Sequence, residues 1–280
     1  MNDLENALQR AAEVISNADA LLIGAGAGMG VDSGLPDFRG TEGFWRAYPP
    51  FRGRRFEEMS NPVWFERDVN QAWGFFGHRL HLYRSTTPHE GFAILRKWAE
   101  RKPLGYFIFT SNVDGQFQAA GFDPDRILEC HGSIHFLQCV AQADHGIWPA
   151  EGIEVQVDES TFRAHDPLPR CPRCDSTARP NILMFGDYGW LENRTAGQEQ
   201  RYIEWSAAAA RGRLAVVELG AGLAVPTVRF HCERTEGELV RINPRDTEVP
   251  AGAISIPLGA LDALTRIYKK KGDAFIFSSN

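Results

Sequence analysis

Three groups of residues in this 280-residue chain have types and spacings that can do chemistry. The first is bare backbone. The stretch Gly24–Gly40, GAGAGMGVDSGLPDFRG, follows an apolar run and holds six glycines. A glycine turn after a strand lets backbone N–H groups come close to a pyrophosphate, which would employ Gly26, Ala27 and Gly28. Glycines also serve tight turns that bind nothing, but a phosphate loop alone has no use for the Asp37-Phe38-Arg39 triplet that follows. The second group is Asn112, Asp114 and His131, each placed just beyond a short apolar run. An imidazole titrates near neutral pH and can take up a proton during a reaction. The third is the thiol pair Cys171-Pro-Arg-Cys174. That spacing suits a metal ion, a redox pair or a plain turn.

These side chains need a frame that brings them together. Leu4, Leu8, Ala11 and Ile15 recur on one helical face. ADALLIGAG, LGYFIFTSN, DRILECHGS, GRLAVVELGAG and GELVRINP read as short buried strands, each closed by glycine or a polar residue. HEGFAILRKWAERK and LDALTRIYKK read as helices. Strands alternating with helices imply an α/β fold: a Rossmann-like parallel sheet covered by helices. Ligands of such sheets sit beyond the carboxyl ends of the strands. The Gly26 turn, Asn112, His131, Gly220 and Asn243 are therefore expected on one rim. Two stretches break the alternation. Residues 41–85, rich in aromatics and arginine, read as a helical insertion with a loop; residues 136–185, with the cysteine pair and several prolines, read as a second small module. The expected division is 1–40, 86–135 and 186–280 for the sheet domain, with 41–85 and 136–185 forming the smaller inserted one.

Composition narrows the class of partner. The chain is 43% hydrophobic and 24% charged with a formal charge of −6, an ordinary soluble balance with no basic excess for nucleic acid. No apolar stretch approaches the ~20 residues that span a bilayer. The N-terminus is charged and helical in pattern, unlike a secretory signal. Five cysteines, scattered apart from one pair, suit a reduced cytoplasmic setting better than a disulfide framework.

Read in order, the motifs resemble the sirtuins, the NAD-dependent protein deacylases. Gly26-Ala27-Gly28 with Ser33-Gly34-Leu35-Pro36-Asp37-Phe38-Arg39-Gly40 is similar to their signature loop. Thr110-Ser111-Asn112-Val113-Asp114-Gly115 is similar to their second motif, and His131-Gly132-Ser133 to the one bearing their catalytic histidine. Cys171-x-x-Cys174, Phe185-Gly186-Asp187, Gly220-Ala221-Gly222 and Ile242-Asn243 follow in the family order over roughly residues 20–265. The resemblance implies that Gly26, Ala27, Gly28, Asp37, Phe38, Arg39, Ser111, Asn112, Asp114, Gly220, Gly222 and Asn243 meet NAD. Phe38 would shield the reacting ribose carbon, Arg39 would pair with a phosphate, and Asp114 would accept from the nicotinamide carboxamide. Asn112 and His131 would be catalytic, with His131 as base on a ribose hydroxyl. In the family an acyl-lysine oxygen attacks the ribose carbon, giving free lysine, nicotinamide and O-acyl-ADP-ribose. Phe185 and Gly186 would bind the acylated lysine of a protein substrate.

Several positions depart from the pattern. Gly30 stands where the family has serine, Ser111 where it has glutamine, and Gln116-Phe117 where it has Leu-His. Gly220-Ala221-Gly222 replaces Gly-Thr-Ser and loses two hydroxyls, so weaker NAD binding is expected. The family's zinc module has two Cys-x-x-Cys pairs; here Cys139 is followed at that spacing by Gln142. With Cys171 and Cys174, His145 can complete a Cys₃His set, with His135 a weaker candidate and Cys130 expected in the core. The gap between Cys139 and Cys171 is expected to form an extra hairpin or loop near the substrate groove. In family members that remove acidic acyl groups a Tyr-x-x-Arg pair grips the acyl carboxylate; the corresponding places are Phe76 and Arg79. Arg79 is thus either a substrate contact or a solvated helix residue, and the acyl group is open. Transfer of ADP-ribose to protein or NAD hydrolysis, and NAD binding without turnover, are the alternatives; oligomeric state is not legible.

Overall fold

The computed structural model describes residues 3–37 and 48–277, with side chains through residue 270. The first helix, α1 (Asp3–Asn17), buries Leu8, Ala11 and Ile15, as their spacing requires. It leads into β1 (Ala20–Ala25), every residue of which is buried. The helices α2 (Val69–Ser85) and α3 (Glu90–Ala99) precede β2 (Tyr106–Thr110) and β3 (Ile127–Glu129). A set of short strands follows: β4 (Gly132–Cys139), β5 (Ile147–Pro149), β6 (Val157–Asp158), β7 (Arg163–Ala164) and β8 (Ala178–Ile182). The chain then returns through α4 (Asn193–Ala209), β9 (Leu214–Leu219), α5 (Thr227–Arg234), β10 (Glu238–Ile242), β11 (Ile254–Ile256) and α6 (Ala260–Phe277).

Six strands form one sheet in the order β11-β10-β9-β1-β2-β3, and every neighbouring pair is parallel. The chain builds outward from β1 to β3 on one side. It then comes back to the other side of β1 and builds β9 to β11. The strand order therefore reverses between β1 and β9, which is where open α/β sheets bind ligands. The register levels the carboxyl ends. Ala25 lies opposite both Thr110 and Leu219, Thr110 opposite Glu129, and Leu219 opposite Ile242. The next residues along these strands, Gly26, Ser111, Cys130, Gly220 and Asn243, share one rim, as the sequence pattern implied.

Two apolar layers hold this sheet. Leu8, Ile15, Leu95, Trp98 and Leu264 pack on one face from α1, α3 and α6. Trp205, Ala209, Val228 and Cys232 of α4 and α5 cover the other. Burial of each large apolar side chain stabilises by about 1.5–3 kcal/mol, and burial on both faces explains the unbroken apolar runs of the central strands.

The smaller part has its own core. β4 pairs antiparallel with β5 and β8, and Ile134, Leu137 and Ile182 pack with Trp73, Phe75, Phe76 and Leu80 of α2. Asp68 caps α2 by accepting from the Gln71 N–H at 3.0 Å. The hairpin β6–β7 fulfils the expected extra hairpin, but it lies against α2 rather than in the cleft. Gly74 permits this contact, because a Cβ there would stand 1.9 Å from the Phe162 carbonyl oxygen. Among the described residues no helix is long and apolar enough to cross a membrane.

Candidate functional site

The glycine turns meet at the point where strand order reverses. A Cβ on Gly26 would stand 2.7 Å from the Gly220 oxygen, and one on Gly28 would stand 2.7 Å from the Gly220 Cα. Gly220 itself adopts a φ of +59°, a left-handed conformation that suits glycine. The Gly26 N–H donates to the Leu219 carbonyl at 3.0 Å, the Gly28 N–H to Gly220 at 3.1 Å, and the Gly220 N–H to Ile242 at 3.0 Å. The first two donors join the two turns, and the third ties the Gly220 turn to the end of β10. The glycines thus let two loops touch at the floor of the rim.

A cleft of about 500 Å³ opens over this junction, and Gly26, Ala27, Gly220 and Gly222 line it. Ser111, Asn112, Asp114 and His131 line it too, arriving from the ends of β2 and β3. Asn112 is fixed twice: its side-chain amide donates to the Gly26 carbonyl at 3.0 Å, and its N–H donates to the Thr110 hydroxyl at 3.0 Å. Asp114 sits in a turn closed by the Gln116 N–H donating to its Oδ1 at 2.9 Å. Burial pushes the Asp114 carboxyl up to about 6, with the charge of Glu129 adding to the rise and the Gln116 bond and Arg79 opposing it. Burial holds the His131 imidazole below its ordinary value, opposed by a hydrogen bond to the Ser111 backbone. The Nε2 of His131 lies 3.4 Å from the Thr227 hydroxyl. The hydrogen bond to the Ser111 backbone orients the ring, and the nitrogen that does not carry the proton is the basic one. A neutral imidazole with an oriented lone pair can take up a proton at pH 7.

Arg79 is buried, not solvated, and also reaches the cleft. Its Nε and Nη2 each donate to the Tyr83 hydroxyl at 3.0 Å, and its guanidinium lies 5.3 Å from the centre of the Phe75 ring. Phe76 faces the core beside Phe65 and takes no part in the cleft. Phe185 stands at the mouth, 38% exposed, edge-on to Phe56. Gly186 follows it at φ +68°, outside the lining. Asp37 lines the cleft and faces Arg245 at 3.9 Å. Phe38 and Arg39 lie outside the described residues. Asn243 is fully buried and absent from the lining. It donates to the Ala221 carbonyl at 2.9 Å and accepts from the N–H groups of Arg245 and Asp246. These bonds shape the Gly220 loop from behind.

A family model described as the Sir2 family matches residues 26–203. The chain belongs to this family. An NAD-dependent protein deacylase of Aquifex aeolicus is 27% identical over 226 residues, which cover 80% of this chain and 83% of that one. A solved Sir2 homologue mutant in complex with ADP ribose superposes with a TM-score of 0.72 at 23% identity, covering 97% of this chain and 99% of the other. A Sir2 bound to an acetylated peptide superposes with a TM-score of 0.66 at 20% identity, covering 93% and 96%. At these identities the two solved structures establish the Sir2 fold.

The Sir2 chain also carries its four-ligand cluster. The ligand atoms of Cys139, His145, Cys171 and Cys174 all lie within 4.8 Å of one another. The Cys139 and Cys174 sulfurs are 3.6 Å apart, and His145 Nδ1 is 3.2 Å from the Cys171 sulfur. A tetrahedron with Zn–S bonds of ~2.3 Å has edges of roughly 3.8 Å, so this Cys₃His donor set fits zinc. The thiol of Cys174 is lowered to about 6, chiefly by its hydrogen bonds to Ser176, which favours the thiolate a metal needs. His135 is elsewhere: its Nε2–H donates to the Asp114 carbonyl at 2.8 Å. Cys130 packs against the sheet core, its thiol pushed up to about 12 by burial.

Sequence reasoning passed over Tyr83 and Thr227. The first had a readable signal, because Arg79 and Tyr83 are four apart and share a helix face. The second had none, since a threonine at the start of an unrecognised helix meets His131 only in space.

Proposed function

We propose that this chain is an NAD-dependent protein deacylase acting on acylated lysine, with the rim cleft as its active site. One observation carries the reading: Asn112 and Asp114, from the end of β2, and His131, from the end of β3, line a single cleft where the strand order reverses. NAD bound there would supply an activated ribose carbon to receive the acyl oxygen. The residues present suit that partner. Asn112 is held to orient a hydroxyl or a water. Asp114, as a carboxylate, accepts from the carboxamide of nicotinamide. His131 takes a proton at its basic ring nitrogen from a ribose hydroxyl, while the bond to the Ser111 backbone holds the ring. Gly26, Ala27, Ser111, Gly220 and Gly222 line the dinucleotide side, with Gly28 and Asn243 shaping the loops beside it. Phe38 and Arg39 complete that side in this reading. Phe185 and Gly186 receive the peptide, and Arg79, braced by Tyr83, forms the polar end of the acyl pocket. We assign residues 1–40, 86–135 and 186–280 to the dinucleotide-binding part and 41–85 with 136–185 to the smaller part; the apolar cluster around α2 supports the division and also draws in Leu35, Val113 and Ile134.

The test incubates the protein with NAD and a panel of acyl-lysine peptides and identifies the products by mass. Nicotinamide release that depends on the acyl peptide, together with O-acyl-ADP-ribose, is expected. His131→Ala should abolish this turnover and still bind ADP-ribose. ADP-ribose attached to protein, or free ADP-ribose without acyl peptide, would instead establish transferase or hydrolase chemistry. No nicotinamide release with any peptide would reduce the chain to a binding protein.

A further inference from the structure

The residue two places before His131 is a buried carboxylate, gripped on nearly every side by one turn of a helix. Glu129 is 1% exposed. Its N–H donates to the Gln198 side-chain oxygen at 3.1 Å. Its carbonyl accepts from the Thr195 hydroxyl at 3.2 Å. Its Oε2 accepts from Arg194 and, at 3.2 Å, from the Gln198 amide. Arg194 is itself braced, its guanidinium 4.1 Å from the centre of the Phe136 ring. Positions 194, 195 and 198 belong to the first turns of α4. Across the rim, the Leu183 N–H donates to the His131 carbonyl at 3.0 Å. The chain bearing His131 is therefore held between α4 and β8.

A buried ion pair is a poor source of stability, because desolvation consumes most of its attraction. The Oε1 of Glu129 is buried without a partner among the described residues, which adds to that cost. Such a pair beside a reactive residue is explained by placement and charge. We propose that Glu129 is a positioning residue of the cleft: gripped by Arg194, Thr195 and Gln198, it fixes the turn that presents His131 and sets a negative charge behind Asp114. The inference rests on the deacylase reading for its kinetic consequences. The groups facing Asp114 are Arg79 and Tyr83 from α2, Glu129 from β3, and His135 from β4, whose ring donates to the Asp114 carbonyl. Glu129 is the carboxylate in that set. Removing its charge while keeping its shape should ease ionisation of Asp114.

The experiment uses the full chain with NAD and an acyl-lysine peptide that the wild type turns over. Glu129→Ala should lower kcat by about tenfold or more with KM for NAD changed by less than about threefold, since an angstrom of misplacement costs that much. Thr195→Val, nearly isosteric, should lower kcat by about threefold. Glu129→Gln should retain most of kcat at pH 8 and move the acid limb of the pH profile down by roughly half a pH unit. A purely structural role would alter melting temperature without moving that limb. Folded Glu129→Ala with wild-type kcat, or Glu129→Gln with an unmoved limb, overturns the inference. If Glu129→Ala does not fold, Thr195→Val and Glu129→Gln decide. The imidazole resonances of His131, followed by NMR, provide a readout free of turnover. They should shift in Thr195→Val, and an unshifted ring counts against the inference. A shifted ring, combined with full turnover by His131→Ala, would refute the base assignment and support the positioning role of Glu129.

Discussion

Asp114→Asn should leave the protein inactive and make it more stable, by an amount that depends on pH. The carboxyl rises from an ordinary 3.8 to about 6, with burial as the largest cause. At 1.36 kcal/mol for each tenfold change in proton affinity, the ionised group costs the folded state up to about 3 kcal/mol. The side chain is partly open to the cleft, so solvent screening brings the expected value to between about 1 and 3 kcal/mol. The sign follows from linkage. Between the two pKa values the folded state binds more protons than the unfolded state, so the wild type loses stability as pH rises through about 6. Asparagine carries no charge at any pH, and its Oδ1 can still accept from the Gln116 N–H. Wild type and variant should therefore melt together near pH 4 and separate as pH rises, with the variant higher by roughly 2–10 °C at pH 8. Thermal melts from pH 4 to 8 check this. An Asp114→Asn variant less stable than wild type, or a gap that ignores pH, would refute the claim that burial of the carboxylate sets its pKa. In the wild type the same titration predicts that kcat/KM falls about tenfold from pH 7 to pH 5.

Three further substitutions probe the frame. Gly220→Ala places a Cβ 2.4 Å from Gly28 backbone at φ +59°; a loss of about 2 kcal/mol or more in urea unfolding is expected, with weakened ADP-ribose binding. Elemental analysis should find one zinc per chain. His145→Ala or a strong chelator should remove it and lower the melting temperature, and full metal content in His145→Ala would exclude that ligand. Arg79→Met keeps bulk and removes the guanidinium. If Arg79 contacts the acyl group, activity on carboxylate-bearing acyl peptides should fall at least tenfold relative to acetyl, and equal losses on both would assign it a packing role.

The sheet was legible because its strands are short apolar runs ending in glycine or a polar residue, and buried parallel strands require that pattern. The rim residues Asn112, Asp114 and His131 followed from those endings alone. Two helices and an edge strand were not legible. The helix α4 buries polar Thr195 and Gln198 in its first half and only Trp205 and Ala209 in its second, so periodicity gives a weak signal. The helix α5 spans only eight residues and buries Arg229. Strand β11 is three residues long. Arg79 was equally hidden, since a charged residue on a helix is usually solvated. Asn243 and Gly28 have a second role that the sequence did not show. Both stand where a ligand contact is expected, yet their hydrogen bonds serve neighbouring loops, and sequence does not reveal which partner wins.

Several buried charges share a role: each fixes a segment that leaves regular structure. Arg179 and Asp187 pair beneath the turn that carries Phe185. Arg241 pairs with Glu218 at 2.6 Å across adjacent strands and also with Glu233. Arg229 and Arg241 both donate to the Glu248 carbonyl, and Arg229 also to Asp246, in the segment whose first turn Asn243 caps. Glu129 and Arg194 stand behind His131. Apolar residues of similar volume would stabilise each position as well or better. What they lack is direction: a guanidinium held by a carboxylate fixes the carbonyl it donates to, and so fixes a loop. Two of the segments fixed in this way, those carrying Phe185 and His131, border the cleft. The fold thus places its desolvation cost where the backbone must leave regular structure and still hold a fixed shape.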